Sequence, residues 1–480
     1  MRRSLPLALI TLALLALAWL LVWYQPAPDS PDQVAFPTSL KEVEAAVPRQ
    51  REMDIRRWQT DAGTRVLFMP SSQLPMLSVR LIFNAGSARD ALAGTASLTN
   101  ALLDQGAEGL DVDAIAAGFE DLGARFSSDS HRDMAIASLT TLVEPEFLAP
   151  AVTLFGQVIS TPTFPEEALE RMRTRYLQGL MMQKQVPGPQ VRRAWDEVLF
   201  GDHAYGIPSS GDEDSLPLIE RQHLLDFHRR YYTGANTVIA MVGDISEAQA
   251  RDISEQLSGV LPAGEAAPDL DDATTLTERR SRHIDFDTTQ THIHIGNQLI
   301  KRGHPDRVAL HVGNHILGGG GFASTLMEEV RQQRGLVYGI SSSISPMAAA
   351  GPFRVQLQTA NENADDALAL TLSLIEDWVN QGPSEEQVQQ AIDYLTGSFA
   401  LSNASNRDIV GQLGAMAFYD LPLDYLEDFQ QQIRDMTPEK IHDALRRHVD
   451  PAHLAIVSIG PRAPRLPGED PDTEDPDDNE

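Results

Sequence analysis

The chain has no cysteine, which excludes disulfides, zinc–thiolate sites, a thiol nucleophile and an acylated lipoprotein cysteine. Positive charge is also scarce: 38 Lys and Arg stand against 68 Asp and Glu, a formal net charge of -30. Such a field repels phosphates, and no basic stripe with interleaved aromatics offsets it, so nucleic acid is not an expected partner. Gly318 to Gly321 form a glycine run, but no G-K-[ST] follows it, so it is not a phosphate loop. What is present is ordinary globular composition, 42% hydrophobic and 22% charged, with a length suited to at least two domains rather than to a multi-span membrane protein.

Arg2 and Arg3 precede an apolar run from Leu5 to Tyr24, about the length that crosses a bilayer. Trp19, Trp23 and Tyr24 gather at its far end as an interfacial belt would. Residues 1–27 are therefore expected to anchor the chain in the inner membrane, with a cleaved signal segment as the alternative, and residues 28–50 to tether a body on the periplasmic side. At the other end, residues 463–480 include PGEDPDTEDPDDNE. Its prolines and like charges predict a disordered acidic tail.

Between these ends, short β-like runs alternate with longer amphipathic helices, and the order repeats. MLSVRLIFNAGS, TASLTNALLDQGA and PEEALERM in the first half are answered by QTHIHIGNQL, DRVALHVGNHILGGGG and SEEQVQQAI in the second. The expected architecture is α+β: two homologous halves, 51–261 and 283–462, each an antiparallel sheet with helices packed on one face. Residues 262–282 have linker composition, at which the halves can hinge.

The segment NAGSARDALAGTASLTNALLDQGA resembles the part of the insulinase-like (pitrilysin) metallopeptidase family that carries H-x-x-E-H, in which two histidines on one helix face hold zinc and the glutamate is the base. Aligning the flanking glycines places Ser97 and Ala101 at the histidine positions, Asn100 at the glutamate and Gln178 at the third ligand. None of these can do the original task, so the N-terminal half is expected to be degenerate and the chain inactive alone. In contrast, GNHILGGGGFASTLMEEVRQQRGLVYGISSSISP is similar to the family's C-terminal signature, with Arg331 and Tyr338 in the places of its arginine and tyrosine. The resemblance implies a non-catalytic subunit that carries no cofactor itself and whose two halves form half of a clamshell. Arg331 and Tyr338 would reach the active site of a zinc-bearing partner subunit, and Gly318, Gly319, Gly320 and Gly321 would allow close approach of a peptide substrate. That partner would be a different chain of the family in a heterodimer, or a second copy of this one in a homodimer.

Plainer readings stand beside these. Arg331 and Tyr338 also suit a helix-end cation and a strand tyrosine. HVGNH sets His311 and His315 at the duplicate of the lost zinc position, where Glu386 or Asp393 would complete a metal site in an independent metalloprotein, although Asn314 gives it no base. His292 and His294 in HIHIG share one sheet face, more simply a polar face than a ligand pair. A peptide-binding or scaffold protein of the cell envelope is the remaining alternative.

Overall fold

The computed structural model describes residues 53–399 and 405–467. The anchor and tether expected in 1–50 and the acidic residues from 468 onward lie outside the described residues. Residues 463–467, expected to belong to that tail, are described and make contacts. Arg462 pairs with Asp365 at 2.9 Å, the Arg465 backbone N–H donates to the same carboxylate at 3.0 Å, and Leu466 packs on the C-terminal core.

The first sheet is built from β1 (Arg56–Gln59), β2 (Arg65–Pro70), β3 (Met76–Phe83), β4 (Arg125–Ser130), β5 (Ala135–Leu142) and β6 (Thr237–Gly243). The second contains β7 (Arg280–Asp285), β8 (Gln290–Gln298), β9 (Val337–Ile344), β10 (Pro352–Ala360) and β11 (Ala455–Gly460). Their spatial orders are β4-β5-β3-β6-β2-β1 and β9-β10-β8-β11-β7. Set side by side, the two orders coincide, with β1 as an extra edge strand. Each sheet is antiparallel apart from one parallel pair, β2 with β6 and β7 with β11, again at equivalent places. The repeat read from the pattern of elements is therefore a duplication of topology.

Each half packs its own helices on one face of its sheet, where inward residues such as Leu77, Val79, Leu81 and Phe83, or Ile293, Ile295, Val355 and Leu357, fill the core. The opposite face is covered in exchange. Helix Asn406–Phe418, from the C-terminal half, lays Ile409, Val410, Leu413 and Met416 on Leu67, Ile82, Val238 and Ala240 of the N-terminal sheet. Helix Pro187–Phe200, from the N-terminal half, lays Val191, Trp195 and Leu199 on Val457 and Ile459 of the C-terminal sheet. This exchange explains why β6 is buried along its whole length: both faces meet apolar side chains. A side chain at Gly414 would place its Cβ 3.0 Å from Ile82 Cδ1, so glycine allows the close approach of helix to sheet.

The segment between the halves is not a free hinge. Residues 262–279 form no helix or strand, yet Ala273 and Leu276 are buried against the Pro187–Phe200 helix and β11. A further tie lies at Asp133, just beyond β4. Its buried carboxylate accepts from Tyr205 Oη in one half, and from Tyr419 Oη at 2.8 Å and the Ala348 backbone N–H at 2.9 Å in the other.

Candidate functional site

Helix Thr95–Ala101, where the resemblance places the zinc motif, starts from Gly94 at φ +95° and is held by Asp90, whose two carboxylate oxygens accept from the Gly94 and Ala96 N–H groups at 2.9 and 2.7 Å. Its polar side chains make structural hydrogen bonds. Ser97 Oγ donates to the Ser209 carbonyl at 2.7 Å, and Asn100 Nδ2 donates to the Ile136 carbonyl and to Tyr232 Oη, each at 3.3 Å. Ala101 offers no donor atom, and Gln178 is exposed on helix Glu166–Gln183. With two committed side chains, one absent donor and one solvated amide, these positions do not fit zinc.

Among the described residues neither Glu386 nor Asp393 joins His311 and His315 in a three-ligand group. His311 sits beside Phe429 with ring centroids 5.6 Å apart, and His315 stacks on Tyr394 at 5.0 Å. Asp393 and Glu386 accept from the helix neighbours Gln389 and Gln390. Among the described residues the one cluster with ligand spacing is His304, Asp306 and His448. There Asp306 is already bound by Arg447 at 2.9 and 3.0 Å and by His448 at 2.8 Å, an ion-paired anchor for the helix that follows.

Arg331 and Tyr338 remain available. A bulge between Val337 and Gly339 takes Tyr338 out of the β9–β10 ladder and leaves it 58% exposed, with no hydrogen bond among the described residues. Arg331 lies on a π-helical turn, Met327–Gln333, with its guanidinium 5.2 Å from the Phe322 ring centroid. Gly318 has a packing role: a Cβ there would stand 2.6 Å from the Ser342 backbone N, so the glycine seats the helix end on β9. Gly319 and Gly321 are exposed and Gly320 half-buried in the turn that follows.

Between the halves lies a cleft of about 1330 Å³. Ser209, which receives the Ser97 hydroxyl, lines one side, together with Leu180 and Gln183 from the helix that carries Gln178. Met327 and Gly339, neighbours of Arg331 and Tyr338, line the other. The C-terminal signature segment therefore borders the cavity directly, whereas no residue of 84–107 lines it and the N-terminal segment meets it only through the Ser97–Ser209 hydrogen bond. Its floor is the reverse face of the C-terminal sheet, where strand alternation presents His292, His294, Arg354, Gln356 and Gln358. The shared face of His292 and His294 is thus real, and it faces a cleft rather than bulk solvent. Arg132, Arg192, Arg302 and Arg354 also reach the cleft, and no motif marked them.

Buried titratable groups make stability depend on pH. Burial depresses His228 and His311 to about 4, and burial together with Arg354 and Arg192 depresses His294 to about 3. The unfolded state then binds more protons, so their contribution is complete above about pH 6.5 and is lost as the pH falls toward 4. Burial raises Asp90 to about 7, with the opposite sign: it adds stability as the pH falls below 7. Between pH 7 and 5 each histidine removes about 2 kcal/mol and Asp90 returns about 2 kcal/mol. Urea unfolding should therefore show a net loss near ~4 kcal/mol over that interval; a flat or rising profile contradicts this.

The structure is a duplicated α+β clamshell half in which Ser97, Asn100, Ala101 and Gln178 offer no set of zinc ligands. Residues 65–211 match the family described as Insulinase (Peptidase family M16), and residues 219–395 match the Peptidase M16 inactive domain. A crystal structure of a peptidase M16 inactive domain from Pseudomonas fluorescens is 42% identical, covers 86% of this chain and 100% of its own, and superposes with a TM-score of 0.83. A relative named non-peptidase homolog YmxG, from Helicobacter pylori, is 25% identical over 83% of this chain and 92% of its own length. The periplasmic protease PqqL from Escherichia coli shares the fold at 17% identity and a TM-score of 0.72, over 86% of this chain and 46% of its own. The chain belongs to the insulinase family, peptidase family M16, and is of its inactive type.

Proposed function

We propose that the chain is the non-catalytic subunit of a periplasmic zinc metallopeptidase complex, enclosing and completing the active site of an H-x-x-E-H partner that cleaves unfolded peptides. The observation that carries this reading is the contrast within the chain: Ser97 and Asn100 are built into structural hydrogen bonds, while the Tyr338 hydroxyl stands exposed and unbonded among the described residues. A tyrosine hydroxyl can donate to a scissile carbonyl as charge develops, and Arg331 can bind peptide carbonyls or a carboxylate. Zinc would reside in the partner. The description of PqqL as periplasmic agrees with the location, and the apolar run from Leu5 to Tyr24 would hold the complex at the inner membrane. Among the described residues no helix is long and apolar enough to cross a membrane.

Adding the purified chain to its zinc-bearing family partner should raise peptidase activity. Tyr338→Phe should then lower kcat about 100-fold, the usual effect of removing one donor to a developing oxyanion, with the melting temperature unchanged because the side chain is exposed. Full activity in the variant, or no activation by the wild-type chain, removes the proposed role.

A further inference from the structure

The chain carries a net charge of -30, yet five arginines line its large cleft, of which Arg132 and Arg193 are ion-paired and, among the described residues, three are not. Both acids that reach the cleft are already engaged. Asp196 pairs with Arg132 at 2.6 Å, and Asp133 is bound by two tyrosine hydroxyls and a backbone N–H. Arg192, Arg302 and Arg354 are left with no carboxylate within ion-pair distance among the described residues. Nε of Arg302 and Nε of Arg354 are buried without a hydrogen-bond partner. Between them and the sheet, His294 is 94% buried, since only 6% of its surface is accessible, and its Nδ1 is likewise unpartnered.

Position makes this a built wall rather than scattered surface charge. In the β8–β10–β9 register, His294 faces Gln356, Gly296 faces Arg354, Ser341 faces Gln356 and Ser343 faces Arg354, so their side chains project from one sheet face. Trp195 supports the wall from below, its ring 5.8 Å from the Arg354 guanidinium and 6.2 Å from the His294 ring. Arg192 projects from the same helix, and it and Arg354 are close enough to oppose each other's charge. Like charges gathered in a partly desolvated recess cost free energy until an anion joins them. Electrostatic focusing by a cleft of one sign then favours entry of anions although the whole protein repels them.

We propose that this wall binds the carboxylates of an extended acidic peptide segment, with Arg354 and Arg192 as the charged contacts and His294, Gln356 and Ser343 as hydrogen-bonding partners. The cleft exceeds the roughly 300–1,000 Å³ typical of small-ligand sites, and Gln and Ser side chains at alternate strand positions suit peptide groups. The lining offers no pair of aromatic faces to stack a base and no glycine-lysine loop for a nucleotide. The inference rests on the substrate-chamber reading above and gives that chamber a preference.

The test uses the whole chain without a partner and measures titrations with unstructured peptides of equal length. One peptide is rich in Asp and Glu with an amidated end, one neutral and amidated, one neutral with a free C-terminal carboxylate, and one rich in Lys; inorganic phosphate is the remaining probe. The acidic peptide should bind at least 10-fold more tightly than the neutral amidated one, and Arg354→Gln and Arg192→Gln should each reduce that preference about 5-fold or more. A gain by the free-carboxylate peptide equal to that of the acidic one assigns the wall to chain ends and supports carboxylate recognition. Because Arg192 is exposed, its substitution spares the core and keeps the test valid should Arg354→Gln unfold. Equal binding of acidic and neutral peptides, phosphate binding as tightly as the acidic peptide, or full preference in Arg192→Gln overturns the proposal. These failures are separate from those of the partner role: activation of a zinc subunit without acidic preference rejects this inference alone, and acidic binding without activation rejects the partner role alone.

Discussion

Asp133→Ala is expected to lower the free energy of unfolding by about 3–6 kcal/mol: the buried Tyr205 hydroxyl loses its acceptor at about 1–3 kcal/mol, and the half-buried Tyr419 hydroxyl and Ala348 N–H lose theirs at about 1–1.5 kcal/mol each. The carboxylate is 3% exposed and receives Tyr205 Oη, Tyr419 Oη and the Ala348 N–H. Tyr205 Oη also accepts from the Ala349 N–H at 3.0 Å, so its position is fixed from both sides. Burial and the neighbouring Asp133 charge hold both tyrosine hydroxyls well above the usual tyrosine range, which keeps them as donors at any working pH. Water from the adjoining cleft can replace part of what is lost, which sets the lower end of the range. Tyr419→Phe removes one donor together with its share of the acceptor and should cost about 1 kcal/mol. Urea unfolding of the three proteins separates these expectations, and a loss below 1 kcal/mol for Asp133→Ala would show that the junction does not hold the halves together.

The duplication was legible because it is written twice in local pattern. A strand ending at a glycine turn, a helix, a second strand and two long helices recur in the same order, and strand and helix periods are short enough to read in one segment at a time. The family resemblance was legible for a related reason: Gly94 and Gly106 flank the segment, so Ser97, Asn100 and Ala101 have fixed places within it. The bulge at Tyr338 was not readable, since it depends on register with β10. The exchange of helices was not legible either. Helix Asn406–Phe418 shows an apolar stripe, and a stripe states that a face is buried without stating against which sheet.

The cleft was the least legible feature, and the reason is distance along the chain. Arg132, Arg192, Arg302 and Arg354 come from four separate segments, and each alone reads as a surface cation. The one local signal was alternation: HIHIG and RVQLQ set His292, His294, Arg354, Gln356 and Gln358 on one side of adjacent strands. Alternation of that kind predicts a solvated face. It becomes a wall only because the exchanged helix and the Asp133 junction bring the other half across it.

That dependence gives the second large expectation. Trp195→Ala should destabilise the protein by about 3–5 kcal/mol, the range for removing a large buried aromatic side chain. Trp195 is fully buried in the cluster formed with Ala455, Val457 and Ile459, and its indole N–H donates to the Ala455 carbonyl at 3.3 Å. Its helix belongs to the N-terminal half in sequence and covers the C-terminal sheet in space, as the Asn406–Phe418 helix does in return. Neither sheet can cover the apolar part of its reverse face without a helix from the other half, so unfolding of one exposes that part of the other. Calorimetry should accordingly give one transition for residues 53–467 in the wild-type chain and one, shifted lower, in Trp195→Ala. Two resolved transitions in the variant, with the N-terminal sheet unaffected, would mean that the halves are joined only by their linker. A single shifted transition means that the width of the cleft is set by the same contacts that stabilise the fold, so that a peptide meets Arg354, His294 and Arg192 already held in place.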